Sequence, residues 1–98
     1  MTVSQEIVRD LHERMVRIRF FEEATGRLFE ANKIPGFVHL YVGQEAIAAG
    51  VCVALRPDDQ ITSTHRGHGH LVAKGGELGA MMAELMGKHG ECHPLRRA

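Results

Sequence analysis

Residues 61–70 read Ile-Thr-Ser-Thr-His-Arg-Gly-His-Gly-His and contain the densest signal in the chain. The β-branched residues at 61–64 favour a short strand, and the glycines after them let backbone amides approach an anion. Arg66 adds a guanidinium, whose planar geometry suits two contacts with phosphate oxygens. A strand that leads through this loop into a helical segment predicts a diphosphate-binding turn.

A dinucleotide-binding motif and a plain surface loop are the alternatives to a diphosphate site here. Gly67 and Gly69 begin a dinucleotide-binding fingerprint, but Val72 stands where the third glycine belongs, so a Rossmann motif is excluded. A solvent-exposed polar loop with incidental histidines is the plainer alternative. No phosphate loop of the GxxxxGK[ST] type occurs in the chain.

The histidines support a third hypothesis, a metal site. Its candidate ligands are His65, His68, His70, Cys92 and His93. They follow no standard zinc spacing, and the glycines that alternate with the histidines would leave the site without a fixed geometry.

His39 stands among apolar residues, where a core histidine bonded to the backbone is as reasonable as a functional one.

A long amphipathic helix is predicted upstream of the loop. Its apolar residues recur at helical spacing at Val8, Leu11, Met15, Ile18 and Phe21. Ser4 is a candidate N-cap, and the Lys-Ile-Pro-Gly sequence at 33–36 ends the helix. The charged residues on this helix are interpreted as a solvated ion-pair face made of Arg17, Arg19, Glu22 and Glu23.

Two further helices are predicted. One begins at residues 43–46, and its apolar stripe is expected to be buried, namely Ile47, Val51, Ala54 and Leu55. The other, from Glu77 to Met86, is rich in methionine, which is typical of a core or a subunit contact. The tail at 91–98 shows no periodicity and is expected to fray.

Composition limits the function classes. The chain has 98 residues with 12 basic and 12 acidic side chains, which fits one small domain without a net attraction to nucleic acid. No apolar run is long enough for a membrane span, and no secretory signal is present, so a cytoplasmic location is expected. Cys52 and Cys92 show no paired spacing and are expected to be reduced thiols.

Four segments together resemble one family: residues 15–23, 36–46, 61–70 and 82–87. The chain is similar to the alpha subunit of the thiamine-diphosphate-dependent, decarboxylating component of 2-oxo acid dehydrogenase complexes. The resemblance covers nearly everything up to Gly87. It implies a truncated α/β thiamine-diphosphate-binding fold, here mainly α-helical with one short strand at about 61–64.

The resemblance also implies a function. The family binds thiamine diphosphate where alpha and beta subunits meet in a heterotetramer, and it passes acyl groups to a lipoyl acyltransferase component. By position, His65 and Arg66 would contact the diphosphate, and His39 would line the substrate pocket and orient the substrate or handle protons. Most members carry Tyr-Arg at 65–66, and the His-Arg pair resembles the acetoin branch. The substrate would be pyruvate, a branched-chain 2-oxo acid or acetoin.

The chain departs from the family after Gly87. Residues 88–98 form a divergent tail in place of the family's Lys-Gly-Gly-Ser-Met-His stretch, and the magnesium-binding Gly-Asp-Gly motif and asparagine have no counterpart. We therefore expect residues 1–98 to form a single incomplete domain without metal ligands, inactive by itself. Most of the sheet that covers the 43–46 helix would be missing, which would expose its apolar face. A non-catalytic helical partner-binding module and a histidine-rich metal-binding protein remain as alternatives.

Overall fold

The computed structural model describes residues 3–35, 40–63 and 67–87, and the backbone of 95–97. Its elements, in chain order, are α1 (Gln5–Glu30), α2 (Glu45–Cys52), β1 (Ile61–Ser63), α3 (Gly67–Ala73), α4 (Leu78–Leu85) and β2 (Leu95–Arg97). The predicted mainly helical structure is confirmed. The expectation of a single strand is wrong, because the tail supplies β2.

Helix α1 begins and ends where its local signals predict. The Ser4 hydroxyl accepts a hydrogen bond from the Ile7 N–H at 3.2 Å, which satisfies one of the free amides of the first turn. The helix ends at Glu30, and Asn32 follows with a positive φ of 60°. Its core-facing residues are Ile18, Phe21, Glu22 and Thr25, whereas Val8, predicted on the same stripe, is exposed.

The core forms where α2 and α3 pack against α1. Tyr41, Leu71 and Val72 are buried there, and Met81 of α4 closes the cluster. Met81 is fully enclosed and Met82 packs against the same core, so the core role predicted for these methionines is confirmed. Cys52 is a buried free thiol, and burial raises its pKa.

Helix α2 turns a different face to the core from the predicted one. Its buried residues are Glu45, Ala48, Ala49 and Cys52. Ile47 and Val51 are 61% and 58% exposed, so the prediction that they are buried is wrong, whereas Leu55 of the same stripe packs partly buried against the core. The small side chains of the buried face let the α2 backbone approach α1 closely, which larger residues would prevent.

Strands β1 and β2 pair in parallel, with Ile61 opposite Leu95, Thr62 opposite Arg96 and Ser63 opposite Arg97. Parallel neighbours require a crossover connection, and α3 and α4 lie within it. The expectation of a frayed end at 91–98 is therefore wrong for residues 95–97, since strand pairing depends on a partner that sequence periodicity does not show. In the described ranges, no helix is long and apolar enough to cross a membrane.

Substitutions on the two faces of α2 test its orientation. Ala49 has no exposed surface, so we expect Ala49→Leu to lower the free energy of unfolding by about 1–3 kcal/mol through overpacking. Ile47→Ala, on the exposed face, should change it by at most about 0.5 kcal/mol. Urea unfolding followed by circular dichroism measures both values, and a larger loss for Ile47→Ala would contradict the assigned face.

Candidate functional site

The three residues that the sequence assigns to a site, His39, His65 and Arg66, lie outside the described residues. The structure does describe the residues that flank them. Leu40 and Tyr41 follow His39 in the chain, and Ser63 and Gly67 stand on either side of residues 64–66. These flanking residues define the geometry around the site.

A chain of three polar side chains links the two flanking regions. Ser63 Oγ lies 2.7 Å from His70 Nδ1, and His70 Nε2 lies 3.2 Å from the Tyr41 hydroxyl. The Tyr41 and His70 rings meet edge to face, with centroids 4.9 Å apart at 75°. Ser63 and Tyr41 are buried, and burial lowers the pKa of His70, so its imidazole is neutral at pH 7. Each ring nitrogen of the neutral imidazole has a hydroxyl partner.

Gly69 makes this arrangement possible. A Cβ atom at this position would lie 2.4 Å from Cγ of Tyr41, closer than any real side-chain contact. The Tyr41 ring thus packs directly on the α3 backbone. The sequence pattern around this glycine predicted a part in anion binding, whereas in the structure its missing side chain makes room for Tyr41.

Glu22 is buried, so the prediction that it belongs to a solvated ion-pair face is wrong. It follows Ile18 by one helical turn and is only 1% exposed, because it lies on the core-facing stripe of α1. Burial raises its pKa to about 7; the Tyr41 N–H opposes this shift by hydrogen bonding, and the charge of Glu45 adds to it. Its Oε1 atom has no hydrogen-bond partner within the described part of the chain.

Arg19 forms its ion pair with Glu45 of α2, which also departs from the predicted pairing within α1. Its Nε and Nη2 atoms lie 3.2 and 3.1 Å from the two carboxylate oxygens, a bidentate arrangement. Burial alone would raise the pKa of Glu45, but hydrogen bonds from Arg19 and from the Gly43 N–H at 2.6 Å hold it below its usual value. The pair joins α1 to the start of α2.

A metal site finds no support in the described ranges, where no three His, Cys, Asp or Glu side chains cluster. His70 is engaged by Ser63 and Tyr41, and the His68 ring faces Phe21 with centroids 6.3 Å apart. The other candidate ligands, His65, Cys92 and His93, lie outside the described residues.

Sequence reasoning missed the roles of Tyr41, Ser63 and Glu22. The sequence holds a partial signal for two of them. Glu22 stands one turn after Ile18 on the apolar stripe of α1, and Ser63 and His70 lie at the two ends of the glycine loop. The pairing of His70 with Tyr41 spans 29 positions and has no signal in local sequence.

Comparison with known proteins identifies the family. The family model described as dehydrogenase E1 component matches residues 13–96. The chain belongs to this family. The resemblance drawn from its motifs is thereby confirmed.

Curated relatives in this family are named for two related activities. The chain is 50% identical over 88 residues to the alpha subunit of acetoin:2,6-dichlorophenolindophenol oxidoreductase from Bacillus subtilis, covering 90% of this chain and 26% of the relative. The subunit of that name from Cupriavidus necator is 46% identical over 90 residues, covering 92% and 27%. The pyruvate dehydrogenase E1 component subunit alpha from Rhizobium meliloti is 44% identical over 79 residues, covering 81% and 23%.

These relatives are much longer than the chain, which spans about a quarter of the length of those it matches. The first two are named as oxidoreductase subunits and the third as a dehydrogenase E1 component. No solved structure matches the chain.

A pH titration of stability tests the buried carboxyl of Glu22. Its folded pKa of about 7 exceeds the ordinary 4.5, so its ionisation disfavours folding. The contribution of Glu22 to the free energy of unfolding is fully present below pH 4.5. It falls by about 3 kcal/mol in all as the pH rises to about 7. Glu22→Gln should remove this loss in urea unfolding measured from pH 4 to pH 8. Glu23→Gln, at the exposed neighbouring position, should keep it; equal pH profiles for both variants would contradict the assignment.

Alanine substitutions at two helical glycines test the packing of Tyr41. Gly69→Ala must displace the Tyr41 ring, and we expect a loss of about 1–3 kcal/mol in the free energy of unfolding. Gly50→Ala is the control, because nothing lies within 4 Å of a Cβ atom there. It should gain about 0.5–1 kcal/mol from helix propensity. A gain for Gly69→Ala would refute the close packing.

Proposed function

We propose that the chain is the N-terminal part of the alpha subunit of a thiamine-diphosphate-dependent dehydrogenase that acts on a 2-oxo acid of the pyruvate type or on acetoin. For a 2-oxo acid the overall reaction would be oxidative decarboxylation with acyl transfer to lipoyl groups. Acetoin has no carboxylate to lose, so its carbon–carbon bond between the two oxygen-bearing carbons would break instead, with release of acetaldehyde and the same acyl transfer. The observation that carries this proposal is the similarity of nine-tenths of the chain to an acetoin oxidoreductase alpha subunit, at 50% identity.

His65 and Arg66 are proposed to hold the cofactor's diphosphate. A guanidinium beside an imidazole suits paired phosphate oxygens, because both groups donate hydrogen bonds and the arginine brings a positive charge. The Ser63–His70–Tyr41 chain supports this proposal, since Ser63 and His70 stand on either side of the loop and are fixed to the core through Tyr41. Arg66 and His65 are the residues whose chemistry suits a diphosphate. The described residues contain no cluster of carboxylates suited to magnesium, and no metal ligand is proposed.

His39 is proposed to act at the substrate. Its imidazole would orient the substrate carboxylate or exchange a proton at the carbonyl oxygen, because the histidine side chain can both accept and donate a proton. When bound, thiamine diphosphate supplies the electron sink that the protein lacks. The chain's own contribution is to bind the diphosphate, to position the substrate and to exclude water.

The subunit is proposed to work with a beta subunit of the same dehydrogenase and with a lipoyl acyltransferase component, in the cytoplasm. The names of the relatives describe alpha subunits, which supports a partner subunit for this chain. We also propose that residues 1–98 form one incomplete domain that shows no turnover by itself. No nucleic-acid or membrane role is proposed.

A second candidate function is a non-catalytic helical module that binds a partner. It rests on the exposed apolar side chains of α1 and α2, among which Phe20 is 64% exposed and Ile47 is 61% exposed. Such surfaces mark interaction sites when they are contiguous. This candidate differs from the first because it requires no cofactor binding.

Calorimetric titration separates the two candidates. Thiamine diphosphate with magnesium is titrated into the purified chain, with and without a cognate beta subunit. We expect Arg66→Ala to weaken binding by about tenfold to a hundredfold, since a hydrogen bond to a charged group contributes about 1.5–3 kcal/mol.

Arg56→Ala is the matched control, because it removes the same charge from a side chain that is 80% exposed and paired with Asp59. It should bind the cofactor as the unmodified chain does. Equal binding by the unmodified chain and Arg66→Ala would refute the assigned role of Arg66. Absence of binding in every condition would leave the partner-binding module as the function.

A further inference from the structure

A cleft with charged walls lies between α1 and the C-terminal ends of α2 and α3. Its volume is about 280 Å³, and the residues that line it all belong to the described part of the chain. The first half of α1 forms one wall, and the last residues of α2 and α3 with the turns after them form the other. The cleft is therefore lined by residues other than those proposed to hold the cofactor or the substrate.

Positive charge is in excess in this cleft. Four cationic side chains line it against two carboxylates, a difference of two charges; the cations are Arg14, Arg17, Arg56 and Lys74, and the carboxylates are Asp10 and Glu13. The whole chain has 12 basic and 12 acidic side chains, so the excess is local. Positive charge gathered in a concave site attracts anions there more strongly than scattered surface charge does.

Hydrogen bonds to the protein hold two of the cations in place. The Arg14 guanidinium donates to the Ala73 carbonyl at the end of α3 and to the Asp10 carboxylate at 2.8 Å. The Lys74 ammonium donates to the carbonyls of Pro57 and Arg56, at 3.1 and 3.5 Å. A guanidinium has five N–H groups and an ammonium has three, so both keep donors for a ligand.

Arg14 and Lys74 also face the same point. Burial raises the pKa of the Cys52 thiol, which lines the cleft, and the charges of Arg14 and of Lys74 both oppose that shift. The two cations thus act on one buried atom from α1 and from the end of α3. An anion between them would meet two donors whose positions are already fixed, which lowers the entropy lost on binding.

The need to satisfy helix ends does not explain Arg17. Arg14 and Lys74 already bond the carbonyls at this end of α2 and α3. Arg17 makes no hydrogen bond or ion pair with any residue that the structure describes, although Glu13 stands one helical turn before it. Its five donors are left for solvent or for a ligand in the cleft.

We propose that this cleft binds a small ligand through a phosphate group, with Arg14, Arg17 and Lys74 as its partners. A phosphate carries close to two negative charges at neutral pH, which matches the excess of two positive charges. Guanidinium groups bond its oxygens in pairs, and the ammonium adds a point charge.

The volume of the cleft and the exposure of its rim narrow the ligand further. The cleft is slightly smaller than the roughly 300–1,000 Å³ typical of sites for drug-sized molecules, so it suits phosphate or a short phosphate ester and not a nucleotide. Arg56 stands at the rim, where it is 80% exposed and paired with Asp59. An exposed, screened charge of this kind contributes little to binding.

Substitutions of opposite expected effect test the cleft. Arg17→Gln and Lys74→Gln should each weaken phosphate binding by about tenfold, since each removes a charged donor. Glu13→Gln should strengthen it by about threefold, because it removes a like charge from the cleft wall. A merely structural role of these side chains would not produce effects of opposite sign.

Two further variants are matched controls. Arg9→Gln removes the same charge as Arg17→Gln from an exposed position of α1 outside the cleft. Arg56→Ala removes the charge at the rim. Both should keep the phosphate affinity of the unmodified chain within about twofold. Circular dichroism of each variant shows whether it is folded, and Arg17→Gln and Glu13→Gln break no hydrogen bond in the described residues.

The measurement is a nuclear magnetic resonance titration of the full chain, labelled with nitrogen-15, at constant ionic strength. Inorganic phosphate and glycerol 3-phosphate are the two ligands, and sodium chloride is the reference salt. We expect saturable shifts of the Arg17 side-chain N–H signal and of the Gly75 amide, with a dissociation constant of about 1 mM or less. Tighter binding of the ester would identify a phosphate ester as the ligand, and equal binding would identify free phosphate.

Three results would each overturn the proposal: equal shifts with chloride, shifts that do not saturate, or unchanged phosphate affinity in Arg17→Gln. The variant Arg66→Ala separates this cleft from the proposed cofactor site, and it should bind phosphate like the unmodified chain. Loss of phosphate binding in Arg66→Ala and not in Arg17→Gln would place the anion at the cofactor site and refute the cleft. Failure of thiamine diphosphate to bind would leave the result for the cleft unaffected.

Discussion

The packing of the Tyr41 ring on the bare backbone of Gly69 is the contact on which the rest of the described structure depends. It brings the segment before α2 against α3, and it places the tyrosine hydroxyl within hydrogen-bonding distance of His70. His70 in turn holds Ser63 at the end of β1. Strand β1, helix α3 and the segment before α2 therefore meet at Tyr41 and His70. A side chain of any size at position 69 would separate them.

Two carboxyl groups near this contact have opposite electrostatic environments. Glu45 receives hydrogen bonds from Arg19 and from the Gly43 N–H, which keep it ionised. Glu22 is buried, and burial together with the charge of Glu45 raises its pKa to about 7. Different environments separate the pKa values of neighbouring carboxyls, as they do in enzyme sites that need both forms. Here the ionised group joins two helices, and the group whose pKa is raised accepts a hydrogen bond from the Tyr41 backbone N–H.

The exposed apolar residues of α1 and α2 are consistent with a chain that covers about a quarter of its relatives' length. Ile47 and Val51 form an uncovered stripe on α2, and Phe20 is exposed on α1. The cost of exposing such side chains to water is removed when a further layer of structure packs on them.

Much of the local structure was predictable from local signals. The Ser4 cap, the apolar spacing of α1 and the Lys-Ile-Pro-Gly stop each act within one or two helical turns, and α1 begins and ends where they indicate. The methionine-rich α4 and the strand at 61–63 follow from equally short patterns. The same motifs also identify the family, because they are contiguous stretches of sequence.

The predictions that failed depend on contacts between distant residues. Helix α2 is apolar on both faces, so its sequence cannot show that Ala48 and Ala49, and not Ile47 and Val51, are buried. Glu22 is a charged residue on an apolar stripe, and it is buried in the folded chain, where the Tyr41 backbone N–H bonds its carboxyl. Local sequence thus determined where the helices and the first strand form, through capping, periodicity and β-branching. The tertiary structure decided which faces are buried and which polar groups meet, because those outcomes depend on close approach between elements far apart in the chain.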